Sequence, residues 1–504
     1  IVAQNTVNIN GNDATLPSDF TMAVYSSNTL NQPRVMDSII YDNNLIVYVG
    51  NKDSSGNTPI YGLVDNNMDG INDYTFNIFN VPSGDSSELN GVCIDPITNY
   101  VYFMTQEKMY ICFNAHDYTL SQISGYNGNY NGNDGNCTLF MTFPINSVDS
   151  THARHYAEFS PSGSDLCIAF GADCDNCDSC TPPRCTIRCY NMTHIRLEYS
   201  YNNLIINNGI NYDDGDSRTV AFGVRNSVGF DWHPITNNLY FTDNGANDIY
   251  PSQSPPWDTY SPDDELNVIL NEGDHFGYPY LHSNGSGNPY LRNVAQVNGI
   301  QDEIYYTSAQ YQLAIQPLGP HSAVLGMKFY NRDLLIEQGC AKGTKYPLFP
   351  SQYNNAIFLA QHGSWSGGYQ LVLGYRIDVV KVTDSGDSVT IDLFDNFVTG
   401  FRENGDTSTI LNTNAWARPA FVEILYDGSI LISDDQDNYV FRVTYTGSDA
   451  TTYDCPTTDP TTDPTLMPSN SPSMTPTDVT NSPTTDTNNP SISPTDNPTL
   501  TPSD

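Results

Sequence analysis

Three short stretches hold residue types that can bind metal, fix charge or form covalent links. Residues 65–73 read DNNMDGIND, with Asp65, Asn67 and Asp69 at alternate positions, Gly70 for a turn and Asp73 beyond it. Alternating oxygen donors around a glycine turn match the first half of an EF-hand-like calcium loop. No helical pattern flanks the stretch and the bidentate Glu is missing, so a structural calcium clip and a polar connecting turn both remain open. Residues 223–241 read GVRNSVGFDWHPITNNLYF, which sets Arg225 beside Asn226 just ahead of an alternating strand. Adjacent polar side chains there point into whatever space the strand ends enclose. Asp231, Trp232 and His233 read as turn and packing residues. Five of the eleven cysteines lie in CDNCDSCTPPRCTIRC (174–189). Paired C-x-x-C spacings suit zinc in a reducing compartment and disulfides in an oxidising one.

Other features favour the oxidising compartment. N-glycosylation sequons occur at Asn136, Asn191 and Asn284, which places them on the surface of a secreted chain. Disulfides are therefore expected, with one thiol left over from the odd count and Cys340 and Cys455 as its isolated candidates. The sequence opens Ile-Val-Ala-Gln, which reads as a mature chain after removal of a targeting segment. No apolar run approaches the ~18 residues of a membrane span. With 19 Lys+Arg against 57 Asp+Glu the net charge is −38. Such a surface repels a phosphate backbone and excludes nucleic acid as a partner.

The elements that must position these residues are strands. Stretches such as 38–50, 100–113, 356–365, 369–382 and 420–435 are short, rich in β-branched and aromatic residues, and bounded by Gly, Asn, Asp and Pro. A common grammar underlies them. DPITNYVYF (95–103), SPSGSDLCIAF (160–170) and HPITNNLYF (233–241) each give a proline turn, a polar pair and an apolar strand, about every 65 to 75 residues. Roughly six such units fill residues 16–450, which predicts an all-β, six-bladed β-propeller whose loops converge on a central pocket. Residues 1–15 read as an extended N-terminal segment. After Cys455 the composition turns to Thr, Pro, Ser, Asp and Asn with proline at every fourth position over much of 456–504. Such a tail has no apolar face to bury and favours an extended polyproline II chain coverable by O-linked sugar. Fully extended, it reaches about 150 Å, well beyond the ~60 Å of its own domain.

Several motifs together resemble a known family. VRNSVGFDWHPITNNLYFTDNG, SPDDELNVILNEGDHFGYPYLH (261–282), LNGVCIDP (89–96), PHSAVLGMKFY (320–330), FLAQHGSW (358–365) and RPAFVEILYDGSILISDDQDNYVFRVTY (418–445) occur in the expected order. They resemble the soluble quinoprotein sugar dehydrogenases, in particular the sorbosone or pyranose dehydrogenase branch that uses pyrroloquinoline quinone (PQQ) and calcium. The resemblance implies that His152, in THARHYAEF, takes a proton from the sugar hydroxyl while hydride passes to the quinone. It implies a pocket lined by Arg225, Asn226 and His321, and a central calcium on backbone carbonyls near Ser261 and Pro262. The sequence departs from the family at one telling place. The family's Asn-Arg pair after HGSW, whose Arg contacts the quinone carboxylates, is replaced by Ser366 and Gly367. An Arg–carboxylate fork has no equivalent in Ser or Gly. Three residues past His152, where the family carries Arg, stands His155, with Arg154 shifted by one.

The expected function is therefore a glycosylated extracellular propeller serving as a structural subunit of a filament, coat or matrix. It self-associates through its termini and carries a calcium site and a degraded quinone site. The alternatives are an active PQQ- and calcium-dependent sugar dehydrogenase and a carbohydrate-binding propeller without chemistry.

Overall fold

The computed structural model describes residues 4–455 except 28–29, 52–58, 81–88, 127–134, 144–151, 153–155, 176, 178–179, 181, 199–203, 205–208, 214, 247–261, 284–289, 292–310, 365–372 and 403–414. The tail at 456–504, Ser261, Asn284, Ser366, Gly367, Arg154 and His155 lie outside the described residues.

Six sheets, antiparallel but for one short parallel pair at the edge of two of them, form the six expected blades. The innermost strands are Pro33–Tyr41, Leu89–Ile94, Tyr156–Phe159, Phe230–Trp232, Val324–Tyr330 and Pro419–Ile424. Each is followed by three or four further strands moving outward. The last blade is closed across the termini: Pro419–Ile424, Ile430–Asp434 and Tyr439–Tyr445 are completed on the outer edge by the N-terminal strand Phe20–Ser26. That closure ties the two ends of the chain into one blade and completes the ring, leaving only the short outer edge of each blade. Residues 1–15 are extended where described, and they fold back on their neighbours: Gln4–Ile9 pairs with Asn12–Pro17 as a hairpin.

The shared turn grammar has a clear structural meaning. In DPITN and HPITN the polar residues close the turn between the first and second strands of a blade. His233 Nδ1, for example, lies 3.2 Å from the backbone N of Thr236. Asn99 and Asn237 adopt left-handed backbone, with φ of 58° at each, which asparagine tolerates better than most residues. The apolar run that follows is wholly buried, as in Leu239–Asp243. Rings from adjacent blades interlock: Tyr156 meets Phe230 edge-to-face at 4.7 Å, and Phe20 meets Phe349 at 4.7 Å and Phe397 at 5.1 Å. Full burial of one such ring contributes about 1.5–3 kcal/mol.

Polar contacts near the axis staple blade to blade. Asp37 accepts the backbone N–H of Ile94 on the next innermost strand at 2.6 Å, and Asp231 does the same for Phe329 at 2.8 Å. Ser38 donates to Glu423 at 2.7 Å. Between them Lys328 pairs with Glu158. One ammonium thus sits among Asp37, Glu158, Asp231 and Glu423, all on innermost strands. Burial alone would lower the Lys328 pKa, but Glu158, Tyr156, Glu423 and Asp231 together push it well above its ordinary value.

The cysteines form disulfides Cys112–Cys137, Cys167–Cys189, Cys174–Cys177, Cys180–Cys185 and Cys340–Cys455. This corrects the expected free thiol. Cys340 and Cys455 pair with each other across 115 residues, and the remaining thiol is Cys93, buried on an innermost strand. Sequence isolation misled because the fold returns residue 455 to the helix Arg332–Ala341, which carries Cys340.

Candidate functional site at the propeller mouth

Strand order dictates which residues meet. All six innermost strands run in the same sense around the axis, so residues just before them share one mouth. Arg34, at the start of its strand, lies there with His152, Arg225, Asn226, His321 and Arg418, which precede theirs. The connections from second to third strands open on that mouth too, bringing in Asp175, Asp243, Pro262, Asp263, His362 and Asp435. His152, Arg225, Asn226, His321 and Pro262 therefore come to one end of the ring.

Asp65, Asn67, Asp69 and Asp73 lie at the opposite end, between the third and fourth strands of the first blade. Their side chains face their own backbone. Asp65 accepts from Gly70 N at 2.7 Å, Asn67 from Asp69 N at 2.9 Å, Asp69 from Ile71 N at 3.0 Å and Asp73 from Asn66 N at 2.9 Å. Arg442 Nη1 donates to the Gly70 carbonyl at 2.8 Å, and a Cβ at Gly70 would collide with it. This is the geometry of a tight polar turn. Of the sequons, Asn136 is half-buried at a left-handed turn and Asn191 ends a strand, its side chain accepting from Thr193 N at 3.1 Å.

The strongest convergence at the mouth is His152, Asp175 and Arg225. The Arg225 guanidinium pairs with the Asp175 carboxylate and also donates to the carbonyls of Asp175 at 3.2 Å and Asn244 at 3.0 Å. His152 Nε2 lies 3.9 Å from the same carboxylate. Asp243 clamps the loop from behind, accepting Arg225 N at 2.9 Å and Asn226 N at 2.6 Å, and burial raises its pKa to about 7. Gly171 is the floor: a Cβ there would stand 2.3 Å from the His152 carbonyl and 3.3 Å from that of Arg225. Gly171→Ala is thus expected to push His152 and Arg225 apart and to lower the thermal midpoint by several degrees, which calorimetry of the variant measures. Asp175 was not singled out in the sequence. Its only signal was its place inside the C-x-x-C spacing, where the cysteines drew the attention.

A second cluster faces it across the mouth. Asp435 accepts from Arg34 Nη2 at 2.6 Å and lies 2.6 Å from His362 Nε2. Burial lowers the His362 pKa to about 3 despite that partner. Arg418 donates to the carbonyls of His362 at 3.2 Å and Gly363 at 2.6 Å. His321 has left-handed backbone (φ 56°) and its carbonyl accepts from Ser364 Oγ at 2.6 Å. Ser322 beside it donates to Asp264 at 2.9 Å.

These geometries test the two groups that the resemblance implies. A tricarboxylate quinone needs cationic donors with capacity to spare. Arg34 and Arg225 are each paired with a carboxylate, and Arg418 donates to two carbonyls. At Arg225 the cation that a quinone carboxylate would meet is thus engaged by Asp175, while Arg34 Nε has no hydrogen-bond partner among the described residues and Arg418 donates to neutral carbonyls. A divalent cation fits better. Asp263 is 1% exposed and both its carboxylate oxygens are buried without a hydrogen-bond partner. Burial, then Asp264, raises its pKa to about 6. It lines a cavity of about 20 Å³ with Arg225, Asp243, Pro262 and Glu265, which is room for one water or one bare ion. Among the described residues no three His, Cys, Asp or Glu side chains form a ready metal cage. A cation there would take Asp263 and backbone carbonyls such as that of Pro262.

The sequence of a family described as TrAA12-like matches residues 149–446, which is more than half of the chain and includes every described residue of the mouth except Arg34. The chain belongs to the TrAA12-like family. The solved structures similar to this TrAA12-like protein have the same architecture. The PQQ domain of pyranose dehydrogenase from Coprinopsis cinerea shares 16% identity over 86% of this chain and 97% of its own, with a TM-score of 0.61. The calcium structure of a Trichoderma reesei carbohydrate-active enzyme of family AA12 shares 14% over 88% and 99%, also with a TM-score of 0.61. At such identities the likeness is one of fold. An uncharacterised protein of Borreliella burgdorferi is 26% identical over 430 residues, 85% of this chain and 90% of its own length.

Proposed function

We propose that this TrAA12-like chain is a glycosylated extracellular propeller that acts as a structural subunit of a filament, coat or matrix. On this reading its inherited quinone site is closed. The observation that carries the reading is the engagement of Arg225 by Asp175, which uses the cation that a quinone carboxylate would need. Five disulfides suit an oxidising compartment, and no described helix is long and apolar enough to cross a membrane. The sequons and the proline-repeat tail supply sugar attachment and reach. Calcium near Pro262 and Asp263 braces the mouth.

One observation favours a second reading, an active PQQ- and calcium-dependent sugar dehydrogenase. His152, the residue aligned with the family's base, does lie beside a carboxylate and an arginine, the surroundings that orient an imidazole for proton transfer. Negative-stain microscopy of the secreted full chain separates the two. Ordered oligomers or fibres are expected, and isolated, monodisperse particles at all concentrations would sink the structural role.

A further inference from the structure

Residues 174–177 read Cys-Asp-Asn-Cys, and the two cysteines are joined. Asp175 therefore sits between two bridged cysteines, inside a short covalent ring. Tyr278 pins the ring from below: its hydroxyl donates toward the carbonyls of Cys174 at 3.1 Å and Asp175 at 3.0 Å and accepts from Cys177 N at 3.0 Å. Among the described residues, the ring thus carries the carboxylate that lies against both His152 and Arg225. Its two sulfurs differ in access. Cys174 is half-buried and Cys177 is buried, so an incoming thiolate reaches Cys174 first.

We infer that the Cys174–Cys177 disulfide is a redox latch on the mouth. Closed, it keeps Asp175 on Arg225; opened by a dithiol reductant, it releases Asp175 and leaves the Arg225 guanidinium to an anionic ligand. The chemistry is ordinary exchange. A reductant thiolate attacks Cys174 Sγ, the S–S bond breaks and Cys177 leaves as a thiolate. The reductant's second thiolate then attacks the mixed disulfide, freeing Cys174. The protein gains two electrons and two protons, and the dithiol becomes a disulfide. Nothing in this requires the other bridges to open. Cys112–Cys137 and Cys167–Cys189 join adjacent strands within a blade, remote from the carboxylate. The inference rests on the reading that Asp175 on Arg225 is what closes the site.

The test uses the full-length protein with PQQ as the anionic probe in the presence of calcium. Equilibrium binding is compared for the wild type, Asp175→Asn and the double variant Cys174→Ser, Cys177→Ser. Both variants are expected to bind at least ten-fold more tightly than the wild type. In parallel, brief treatment with dithiothreitol followed by alkylation and mass spectrometry is expected to label Cys174 and Cys177 before Cys167 and Cys189. Tighter binding by Asp175→Asn alone would overturn the latch and leave the Arg225–Asp175 lock standing. No gain in either variant would overturn both. Tight binding by the unreduced wild type would overturn the closed-site reading and the latch with it. Should the double variant not fold, labelling of Cys174 and Cys177 no earlier than Cys167 and Cys189 overturns the latch by itself.

Discussion

Replacing Lys328 by methionine is expected to cost about 3–5 kcal/mol of folding stability, the usual penalty for removing one partner from a buried ion pair. The chain length of methionine preserves the packing, so the loss isolates the charge. With the ammonium gone, Glu158 loses its cation while Asp37, Asp231 and Glu423 still crowd the same stretch of the axis. Adding Glu158→Gln to Lys328→Met is expected to recover part of the loss, because the amide needs no counter-charge. Denaturant unfolding of the single and double variants measures both steps. A change within ±0.5 kcal/mol for Lys328→Met would show that these carboxylates are already protonated or solvated and that Lys328 is no keystone.

Stability is also expected to fall as pH rises from about 5 to 8, against the habit of most proteins. Burial raises Asp37 to about 7, Asp231 to about 6 and Asp434 to about 7, and holds Glu423 well above the carboxylate range. Between an unfolded value near ~4 and those folded values, the native state binds more protons than the unfolded chain. The slope of unfolding free energy with pH is then negative across that window, and the penalty keeps growing until pH has passed the folded values. His362 acts in the opposite sense. Its folded pKa of about 3 lies below the unfolded ~6.5, so it favours higher pH between those values. Burial lowers His116, His233 and His275 as well, but Asp243, Asp263 and Glu265 join the raised carboxyls, so the fall stays in place, and the net charge of −38 adds self-repulsion as pH rises. Thermal midpoints measured at pH 5, 6.5 and 8 in low-salt buffer check the trend. A steady rise across the series would contradict it.

Both effects come from residues that the sequence either left unmarked or, for Asp231, marked only for turns and packing, and the reason is instructive. The fold was legible because propeller blades repeat. DPITN and HPITN announce the same turn in different blades, and alternating apolar strands follow each one. The mouth was legible for His152, Arg225, Asn226 and His321, since each stands just before an innermost strand. Lys328, Glu158 and Asp37 were invisible because they are single charged residues within apolar strands, separated by up to hundreds of positions. Only ring closure brings them together. Asp175 stayed hidden for another reason: its contacts run between blades, where no local spacing records them. The Cys340–Cys455 pair likewise depends on where the last blade ends. In the loop at 65–73 the sequence left calcium clip and polar turn open, because both use the same donors. Backbone N–H groups, which a sequence does not display, take those donors in the folded chain.

The proposed function requires that Asp175 hold Arg225 and that the mouth not take PQQ. The most direct measurement is aldose-dependent dye reduction by the purified, oxidised full-length protein after incubation with excess PQQ and calcium. The account predicts no turnover above a His152→Ala control, across a panel of aldoses and across pH 5 to 8. Robust turnover that is lost in the His152→Ala variant would contradict it and would establish the chain as a working sugar dehydrogenase.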